Sequence, residues 1–372
     1  FEQASQLALA GSGIASFSDR ARDALRGGSA GDASQALADN AGFLHGRSNP
    51  EIRNWLLCGL AGSLGDFELL EWRTLAEPSL ERSPRSLRDI DYKGQPCGYV
   101  AQPGEVVNYV ENHDNHTLFD INVYRLPANA SPEDRLRAQV LGFAINSLSQ
   151  GIAYFHAGGE LMRSKSMDRN SFDSGDWFNR IDWSGKSHAF GSGLPPGTEN
   201  SKDYASMLPL LNQPNVRPKP EHIARSLRSF LDWVHIRRSI PELRLESAKA
   251  IQNQLKFLDF DILDLTKRAY DPSTSQLVIA AHIAANQDIH QPQSKAKSDS
   301  PPYRGIAYMV NGSFETQRIR INALKGRTLR LHPRLQASAA LEPRDAVRPT
   351  WDAKRGVLTI PRQSALLFFD KD

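Results

Sequence analysis

A histidine and an aspartate adjoin each other where a short apolar run gives way to polar residues, in Val107-Asn-Tyr-Val-Glu-Asn-His-Asp-Asn115. An imidazole beside a carboxylate can hydrogen-bond neighbouring hydroxyls of a sugar ring, and His113 and Asp114 offer this chemistry. If the apolar run is a strand of a parallel α/β fold, the pair lies at its carboxyl end, where active sites occur. The alternative is a loop acid that caps the next helix, with a satisfied histidine beside it.

Short apolar strands alternate with amphipathic helices over the first two thirds of the chain. Asn49 caps a predicted helix that has Pro50 at its first position, and Ser131 with Asp134 forms a capping box at the start of another. The predicted strands cover residues 13–17, 106–111 and 152–156. The predicted helices cover residues 49–63, the segment after Ser131, and a segment from Pro220 whose apolar stripe is Ile223, Leu227, Phe230, Leu231 and Val234.

This β-α-β-α-β-α order predicts parallel strands with helices packed outside, either in a doubly wound sheet or in a (β/α)8 (TIM) barrel. Periodicity alone does not distinguish the doubly wound sheet from the barrel. Three such units cannot close an eight-stranded barrel, so the barrel interpretation requires preceding units upstream of Phe1.

The last third of the chain is predicted to contain strands alone, which marks a domain boundary between residues 1–244 and 245–372. Apolar runs at 276–284, 305–310, 318–321, 328–331 and 364–369 are typical of an antiparallel β-sandwich. The segment 285–303, rich in Gln, Ser, Lys and Pro, is predicted to be a mobile loop within it.

Composition narrows the classes of partner. Apolar residues make up 40% of the chain and charged residues 23%, as in globular proteins, and the net charge of +3 is too small and dispersed to favour nucleic acid or an anionic membrane. No apolar run approaches the length of a membrane span. The only two cysteines, Cys58 and Cys97, are predicted to be reduced, partly buried thiols. The sequence does not decide in which cellular compartment the protein works.

Several motifs in order resemble those of one enzyme family. Glu111-Asn-His-Asp-Asn115 resembles the fourth signature region of the alpha-amylase superfamily of glycoside hydrolases. Two further segments look like the last barrel strand and following loop of pullulanase and limit dextrinase type debranching enzymes: Gly151-Ile-Ala-Tyr-Phe-His-Ala-Gly-Gly-Glu160 and Arg163-Ser-Lys-Ser-Met-Asp-Arg-Asn-Ser-Phe-Asp-Ser-Gly-Asp-Trp-Phe-Asn179. Phe17-Ser-Asp-Arg-Ala-Arg-Asp-Ala24 with Arg26-Gly-Gly28 is similar to their sixth-strand segment, and Gly193-Leu-Pro-Pro196 and Leu331-His-Pro333 keep the same order.

The resemblance implies the last three βα units of a (β/α)8 barrel, a C-terminal β-sandwich, and retaining hydrolysis of α-1,6-glucosidic branch linkages in pullulan, amylopectin, limit dextrin or glycogen. Its chemistry uses an aspartate nucleophile, a glutamate acid and a third aspartate that stabilises positive character at the reacting carbon. Asp114 matches the third carboxylate and His113 the adjacent sugar-binding histidine. The nucleophile and acid belong, in the family's order, to earlier strands, so we expect the 1–372 polypeptide alone to be inactive on pullulan. A retaining enzyme needs two carboxylates roughly 5 to 5.5 Å apart.

The resemblance also assigns substrate contacts outside the signature region. Arg169 and Asn170 match positions that face the glucan, and Asp203 with Tyr204 matches an acid–aromatic pair near the site. For Arg169 the alternative is an ion pair with Asp168 or Asp173. Trp177 and Phe178 are predicted to anchor their loop by packing, and Ser18 stands where relatives have asparagine. Asp19 is predicted to be a structural ion-pair residue.

No cofactor is implied by this family; calcium occurs in relatives, but no acidic cluster of convincing spacing supports a site in this sequence. Two other classes of function stay open. One is a non-catalytic α-glucan-binding protein, and the other is a carrier or structural role for the C-terminal sandwich.

Overall fold

The computed structural model describes residues 4–70, 83–263, 275–285, 303–340 and 347–371. Its helices are α1 (Gln6–Leu9), α2 (Asp19–Arg26), α3 (Ala36–Asp39), α4 (Pro50–Leu60), α5 (Leu118–Arg125), α6 (Pro132–Leu148), α7 (Gly175–Asn179), α8 (Gly197–Asn200), α9 (Tyr204–Leu211), α10 (Pro220–Ser239), α11 (Ala248–Gln254) and α12 (Pro333–Ala340). Short 3-10 helices lie at Phe43–His45, Leu87–Asp89, Pro103–Glu105, Gly159–Leu161, Ser171–Asp173, Ser201–Asp203, Pro241–Arg244 and Asn322–Leu324.

The strands are β1 (Ser16–Ser18), β2 (Glu68–Leu70), β3 (Pro84–Ser86), β4 (Asp91–Tyr92), β5 (Gln95–Pro96), β6 (Val106–Asn108), β7 (Ile152–Ala153), β8 (Leu255–Phe257), β9 (Asp261–Ile262), β10 (Val278–Ala284), β11 (Gly305–Asn311), β12 (Gln317–Arg320), β13 (Thr328–Leu331), β14 (Thr350–Asp352), β15 (Val357–Ile360) and β16 (Ser364–Lys371).

Strands β1, β6 and β7 form a parallel three-stranded sheet in that order. Phe17 is in register with Val107, and Val107 with Ile152. The predicted parallel pairing is therefore confirmed. Strands β6 and β7 end earlier than predicted because the chain turns into the site loops directly after Asn108 and Ala153, and β1 begins three residues later than predicted.

Helices α4 and α6 begin where their capping signals predict. The side chain of Asn49 accepts the N–H of Ile52 at 2.8 Å, and Pro50 occupies the first helical position. Ser131 accepts the N–H of Asp134 at 3.1 Å, while the Asp134 carboxylate accepts the N–H of Ser131 at 3.0 Å. These local signals are reliable because both partners of each hydrogen bond lie within one helical turn.

We expect Asn49→Ala to lower the free energy of unfolding by about 1 kcal/mol, because the cap bond to Ile52 is lost while α4 remains packed. Urea denaturation followed by circular dichroism measures this change. Ser48→Ala, next to the cap but outside it, is the control and should change the free energy by less than about 0.5 kcal/mol. Equal effects of the two substitutions would contradict the capping role.

Helix α10 begins at Pro220 as predicted, but its buried face differs from the predicted apolar stripe. Leu231 is 54% exposed. Asp232 is buried instead, because Arg334 donates to it at 3.0 Å from α12. Arg237 is also buried, and it donates to the carbonyls of Ser147, Ser149 and Leu243 at 2.6 to 3.0 Å. Apart from Leu243, these partners come from segments distant in sequence, and helical periodicity carries no information about them.

The last third of the chain forms two antiparallel sheets, with strand orders β13-β16-β11-β10-β8 and β14-β15-β12-β9. One buried cluster draws Val278, Met309 and Phe368 from the first sheet and Ile319 and Leu358 from the second. The prediction of strands alone was wrong, since α11 and α12 lie in this part. Of the predicted loop at 285–303, residues 286–302 lie outside the described residues.

A larger hydrophobic cluster spans the helices around the parallel sheet and the five-stranded sheet, including Ile145, Leu148, Ile279, Tyr308 and Leu367. Cys58 and Cys97 are free thiols, as predicted, but they are fully buried in this cluster rather than partly buried. Over the described ranges, none of the helices combines the length and the apolar character that crossing a bilayer demands.

Candidate active site

The carboxyl ends of the parallel strands meet at one edge of the sheet, and three segments follow from that edge. Asp19 comes directly after β1, residues 109–117 follow β6, and residues 154–170 follow β7. Because the sheet is parallel, these segments are neighbours.

His113 and Asp114 project into solvent from the segment after β6. The Nδ1 atom of His113 lies 3.2 Å from Oδ1 of Asp114, and their side chains are 75% and 61% exposed. The helix-capping alternative for Asp114 does not hold, because Thr117 caps α5 by accepting the N–H of Asp120 at 3.1 Å. The pair is thus available to a ligand.

A buried arginine holds both ends of this segment. Arg26, the last residue of α2, donates to the carbonyls of Val110 at 3.2 Å and of His116 at 2.9 Å. Burial lowers the pKa of Arg26 to about 10, and Arg22 and Arg125 act in the same direction. The guanidinium remains charged at neutral pH and fixes where the segment leaves and rejoins the core.

Glu111 is a buried acid at the base of the same segment. One carboxylate oxygen accepts the N–H of Leu118, the first residue of α5, and the other has no hydrogen-bond partner among the described residues. Burial raises the pKa of Glu111 to about 7, against the opposing effects of the Leu118 hydrogen bond, Arg26 and Arg163. Sequence reasoning gave Glu111 no role of its own; the available signal was an acid that ends the apolar run, between Val110 and the polar residues from Asn112 onward.

The segment after β7 is joined to the segment after β6 through Asp120 and Lys165. Asp120 accepts the hydroxyl of Ser164 and the N–H of Lys165, the latter at 2.8 Å. The Nζ of Lys165 donates to the carbonyl of His113 at 3.3 Å. The two segments therefore form one connected unit below the exposed pair.

Arg169 and Asp203, predicted separately as glucan contacts, contact each other. Nη1 of Arg169 lies 3.4 Å from the Asp203 carboxylate, and Nη2 donates to the carbonyl of Ala30 at 3.3 Å. Asp203 is fully buried and also accepts the N–H of Ser34 at 2.6 Å. Arg169 thus pairs with Asp203 rather than with the Asp168 or Asp173 of the alternative, and the carboxylate orients the guanidinium instead of facing solvent.

Of the remaining predicted residues, Asn170 follows Arg169 in the same loop, Trp177 lies in α7, and Tyr204 begins α9. The backbone N–H of Asn170 donates to Asp168 at 3.0 Å, and the hydroxyl of Tyr204 donates to the carbonyl of Pro195 at 2.7 Å. Trp177 is 52% exposed; its Nε1 donates to the carbonyl of Ser192 at 3.2 Å, and Arg180 stacks on its ring at 4.1 Å. These contacts fit the anchoring role predicted for Trp177.

Other acids at this edge are engaged in structural bonds. Asp19 accepts the hydroxyl of Tyr109 at 2.7 Å and lies 3.3 Å from Arg22, as its predicted ion-pair role requires. The Oε2 atom of Glu160 accepts the N–H of Gly158 at 2.9 Å. Within the ranges the structure describes, no group of three or more His, Cys, Asp or Glu side chains is arranged to hold a metal ion.

Comparison with known proteins gives one consistent family. Residues 185–371 match the family model of pullulanase-type alpha-1,6-glucosidases, C-terminal. Pullulanase 1, chloroplastic, of Arabidopsis thaliana is 33% identical over 380 residues, which cover 99% of this chain and 37% of that protein. A pullulanase of Klebsiella pneumoniae is 35% identical over 270 residues, which cover 69% of this chain and 24% of that protein. The matched residues thus span between about a quarter and little more than a third of the length of these two relatives.

Solved structures agree with the sequence comparisons. The apo pullulanase of Klebsiella pneumoniae superposes with a TM-score of 0.83 at 28% identity, over 100% of this chain and 38% of that chain. The same enzyme complexed with maltotriose gives a TM-score of 0.83 at 28% identity, over 100% and 34%.

Proposed function

The chain belongs to the pullulanase-type α-1,6-glucosidases, and from this premise we propose that it is the part of a debranching enzyme that grips the glucan at the scissile branch point. The observation that carries the proposal is the exposed His113–Asp114 pair at the carboxyl end of the central parallel strand. The substrates we propose are branched α-glucans: pullulan, limit dextrin, amylopectin and glycogen.

The sheets support the architecture that we propose. Residues 1–244 supply the last three βα units of a (β/α)8 barrel, supported by three parallel strands that neighbour one another in chain order. Residues 245–372 form a β-sandwich, supported by the hydrophobic cluster shared between two antiparallel sheets. In this arrangement the pair stands at the mouth of the barrel, where glycosidase substrates enter.

In the proposed mechanism Asp114 bonds hydroxyls of the distorted sugar and, as an exposed carboxylate, stabilises positive charge that develops at the reacting carbon. His113 bonds a neighbouring hydroxyl. Arg169, oriented by Asp203, contacts the glucan together with Asn170, and Tyr204 lies along an apolar sugar face. Retaining hydrolysis needs two further carboxylates flanking the bond, which other strands of the barrel provide.

We expect the 1–372 polypeptide to bind a branched maltooligosaccharide without releasing reducing sugar from pullulan. The exposed carboxylate of Asp114 cannot act as both nucleophile and acid, and Asp19 and Asp120 already accept structural hydrogen bonds. Calorimetry measures the binding, and a reducing-sugar assay measures the hydrolysis. Release of reducing sugar by this polypeptide would contradict the assignment of the catalytic groups.

Asp114→Asn should weaken this binding roughly tenfold, because a charge-assisted hydrogen bond to a sugar hydroxyl becomes a neutral one. Glu221→Gln, an exposed acid in the first turn of α10, is the control and should leave the affinity unchanged. An unchanged affinity for Asp114→Asn would remove the basis for the proposed site.

A further inference from the structure

Lys165 is a lysine with only 1% of its surface exposed. Lysine side chains are almost never fully buried unless they are paired, because the ammonium loses its hydration. Burial lowers the pKa of Lys165, while Asp120 and Asp168 oppose that shift. Specific contacts must therefore offset the free-energy cost of burying this ammonium group.

The acceptor of the Lys165 ammonium is a backbone carbonyl. Nζ donates to the carbonyl oxygen of His113 at 3.3 Å. Asp120 accepts Ser164 and the backbone N–H of Lys165. One oxygen of Asp168 accepts the side-chain amide of Asn200 at 3.0 Å, and its other oxygen has no hydrogen-bond partner among the described residues. The hydrogen bond of the ammonium is thus directed to the peptide that joins His113 to Asp114.

The chain around Lys165 adopts an uncommon conformation. Ser166 and Met167 are consecutive non-glycine residues in the left-handed region, with φ of +52° and +66°. Such positions persist only where surrounding contacts enforce them. The hydroxyl of Ser166 donates to the carbonyl of Gly193 at 2.6 Å, and the N–H of Ser166 donates to the hydroxyl of Ser164 at 2.9 Å. This strained turn presents Lys165 inward.

Other contacts also hold the His113 segment, but they do not link the exposed pair to the loop after β7. Arg26 binds the carbonyls of Val110 and His116, which lie before and after the exposed pair. Inside the segment, the N–H of Asp114 donates to the side chain of Asn112 at 3.0 Å. Among the hydrogen bonds of the described residues, the one from Lys165 ties the peptide between His113 and Asp114 to the loop after β7.

We propose that Lys165 is a positioning residue for glucan binding, which holds the peptide between His113 and Asp114 so that both side chains face the sugar. This inference rests on the proposed function. It adds that the loop after β7 sets the orientation of the pair, in addition to presenting its own Arg169 to the substrate.

The test compares three variants of the 1–372 polypeptide. Lys165→Met removes the ammonium at similar volume, Lys165→Arg keeps a charged donor, and Ser149→Ala removes a buried hydrogen bond outside the segments after β6 and β7, from the Ser149 hydroxyl to the carbonyl of Ile145 at 3.0 Å. Calorimetry with a branched maltooligosaccharide should show at least tenfold weaker binding for Lys165→Met, recovery to within about threefold for Lys165→Arg, and less than a twofold change for Ser149→Ala.

Amide hydrogen exchange across residues 112–116 is the second readout and needs no ligand. Lys165→Met should exchange at least tenfold faster there than the wild type, and Ser149→Ala should not. If the methionine variant fails to fold, Lys165→Gln takes its place, with the same direction expected. Equal binding and equal exchange in the Lys165 and Ser149 variants would overturn the inference. If the wild type does not bind the sugar, the proposed function fails, and the exchange data alone decide the role of Lys165.

Discussion

Alanine in place of Gly27 is expected to lower the free energy of unfolding by more than about 4 kcal/mol, which few single substitutions do. Gly27 has φ of +78° and ψ of 164°, a region that glycine alone adopts readily. A methyl group there would also overlap the carbonyl oxygen of Asn40 and lie 2.5 Å from the N atom of Gly42. Both are backbone atoms, so no side-chain rotation can relieve the overlap.

The measurement is urea denaturation of the 1–372 polypeptide followed by circular dichroism, together with the yield of soluble protein. Gly31→Ala is the matched control in the same segment, because an alanine Cβ there would lie 3.9 Å from its nearest neighbour, the Ser29 hydroxyl. The control should stay within about 0.5 kcal/mol of the wild type. A Gly27→Ala protein as stable as the control would show that the chain around Asn40 can move aside.

This substitution also bears on the site, because Gly27 follows the arginine that holds the His113 segment. Arg125 donates to the carbonyls of Arg26 at 2.7 Å and Gly27 at 2.8 Å, and so fixes the turn that ends α2. If Gly27→Ala yields some folded protein, Arg26 should no longer reach Val110 and His116. Glucan binding should then weaken together with stability.

The features that could be predicted from the sequence depend on nearby residues. The starts of α4 and α6 follow from Asn49, Pro50 and Ser131, whose hydrogen-bond partners lie within four residues. Parallel pairing of β1, β6 and β7 follows from the alternation of strands and helices. Leu231 was placed on the wrong face of α10, because the buried face is decided by Arg334 and other distant partners.

The same distinction, between features set by nearby residues and features set by distant ones, applies to the candidate site. His113 and Asp114 could be recognised because they end an apolar run, and their exposure follows from that position. Neither the Arg169–Asp203 pair nor the burial of Lys165 has a signal in the local sequence, since each depends on loops that meet only in the folded chain. The exposed pair could therefore be predicted from the sequence, whereas the groups that hold its segment in place became visible only in the structure.

The second large effect is expected from Glu111, whose pKa burial raises to about 7. Below about pH 4.5 this acid is protonated in the folded and the unfolded chain, and it adds no pH dependence. Between about pH 4.5 and 7 the unfolded chain loses the proton while the folded chain keeps it, so the free energy of unfolding falls as pH rises. Over that window the loss is about 3 kcal/mol, after which it levels off.

Glu111→Gln should therefore make stability less dependent on pH in this window. Its side-chain carbonyl can still accept the N–H of Leu118, but no proton is lost and no carboxylate is buried. At pH 8 we expect the variant to exceed the wild type by roughly 1–3 kcal/mol, and at pH 4.5 to match it within about 1 kcal/mol. Urea denaturation at four values of pH between 4.5 and 8 measures the difference.

Glu105 serves as the control, because its pKa is shifted in the direction opposite to that of Glu111. Burial by itself would raise its pKa, but the N–H groups of Gly13, Ala101, Gly11 and Gln102 lower it below the ordinary value. Its contribution to stability is thus present above about pH 4.5 and is lost as pH falls, so Glu105→Gln should destabilise the chain at pH 8. If Glu111→Gln also destabilises at pH 8, the buried carboxylate has a compensating partner in the folded chain, and the loop that carries His113 depends on its charge.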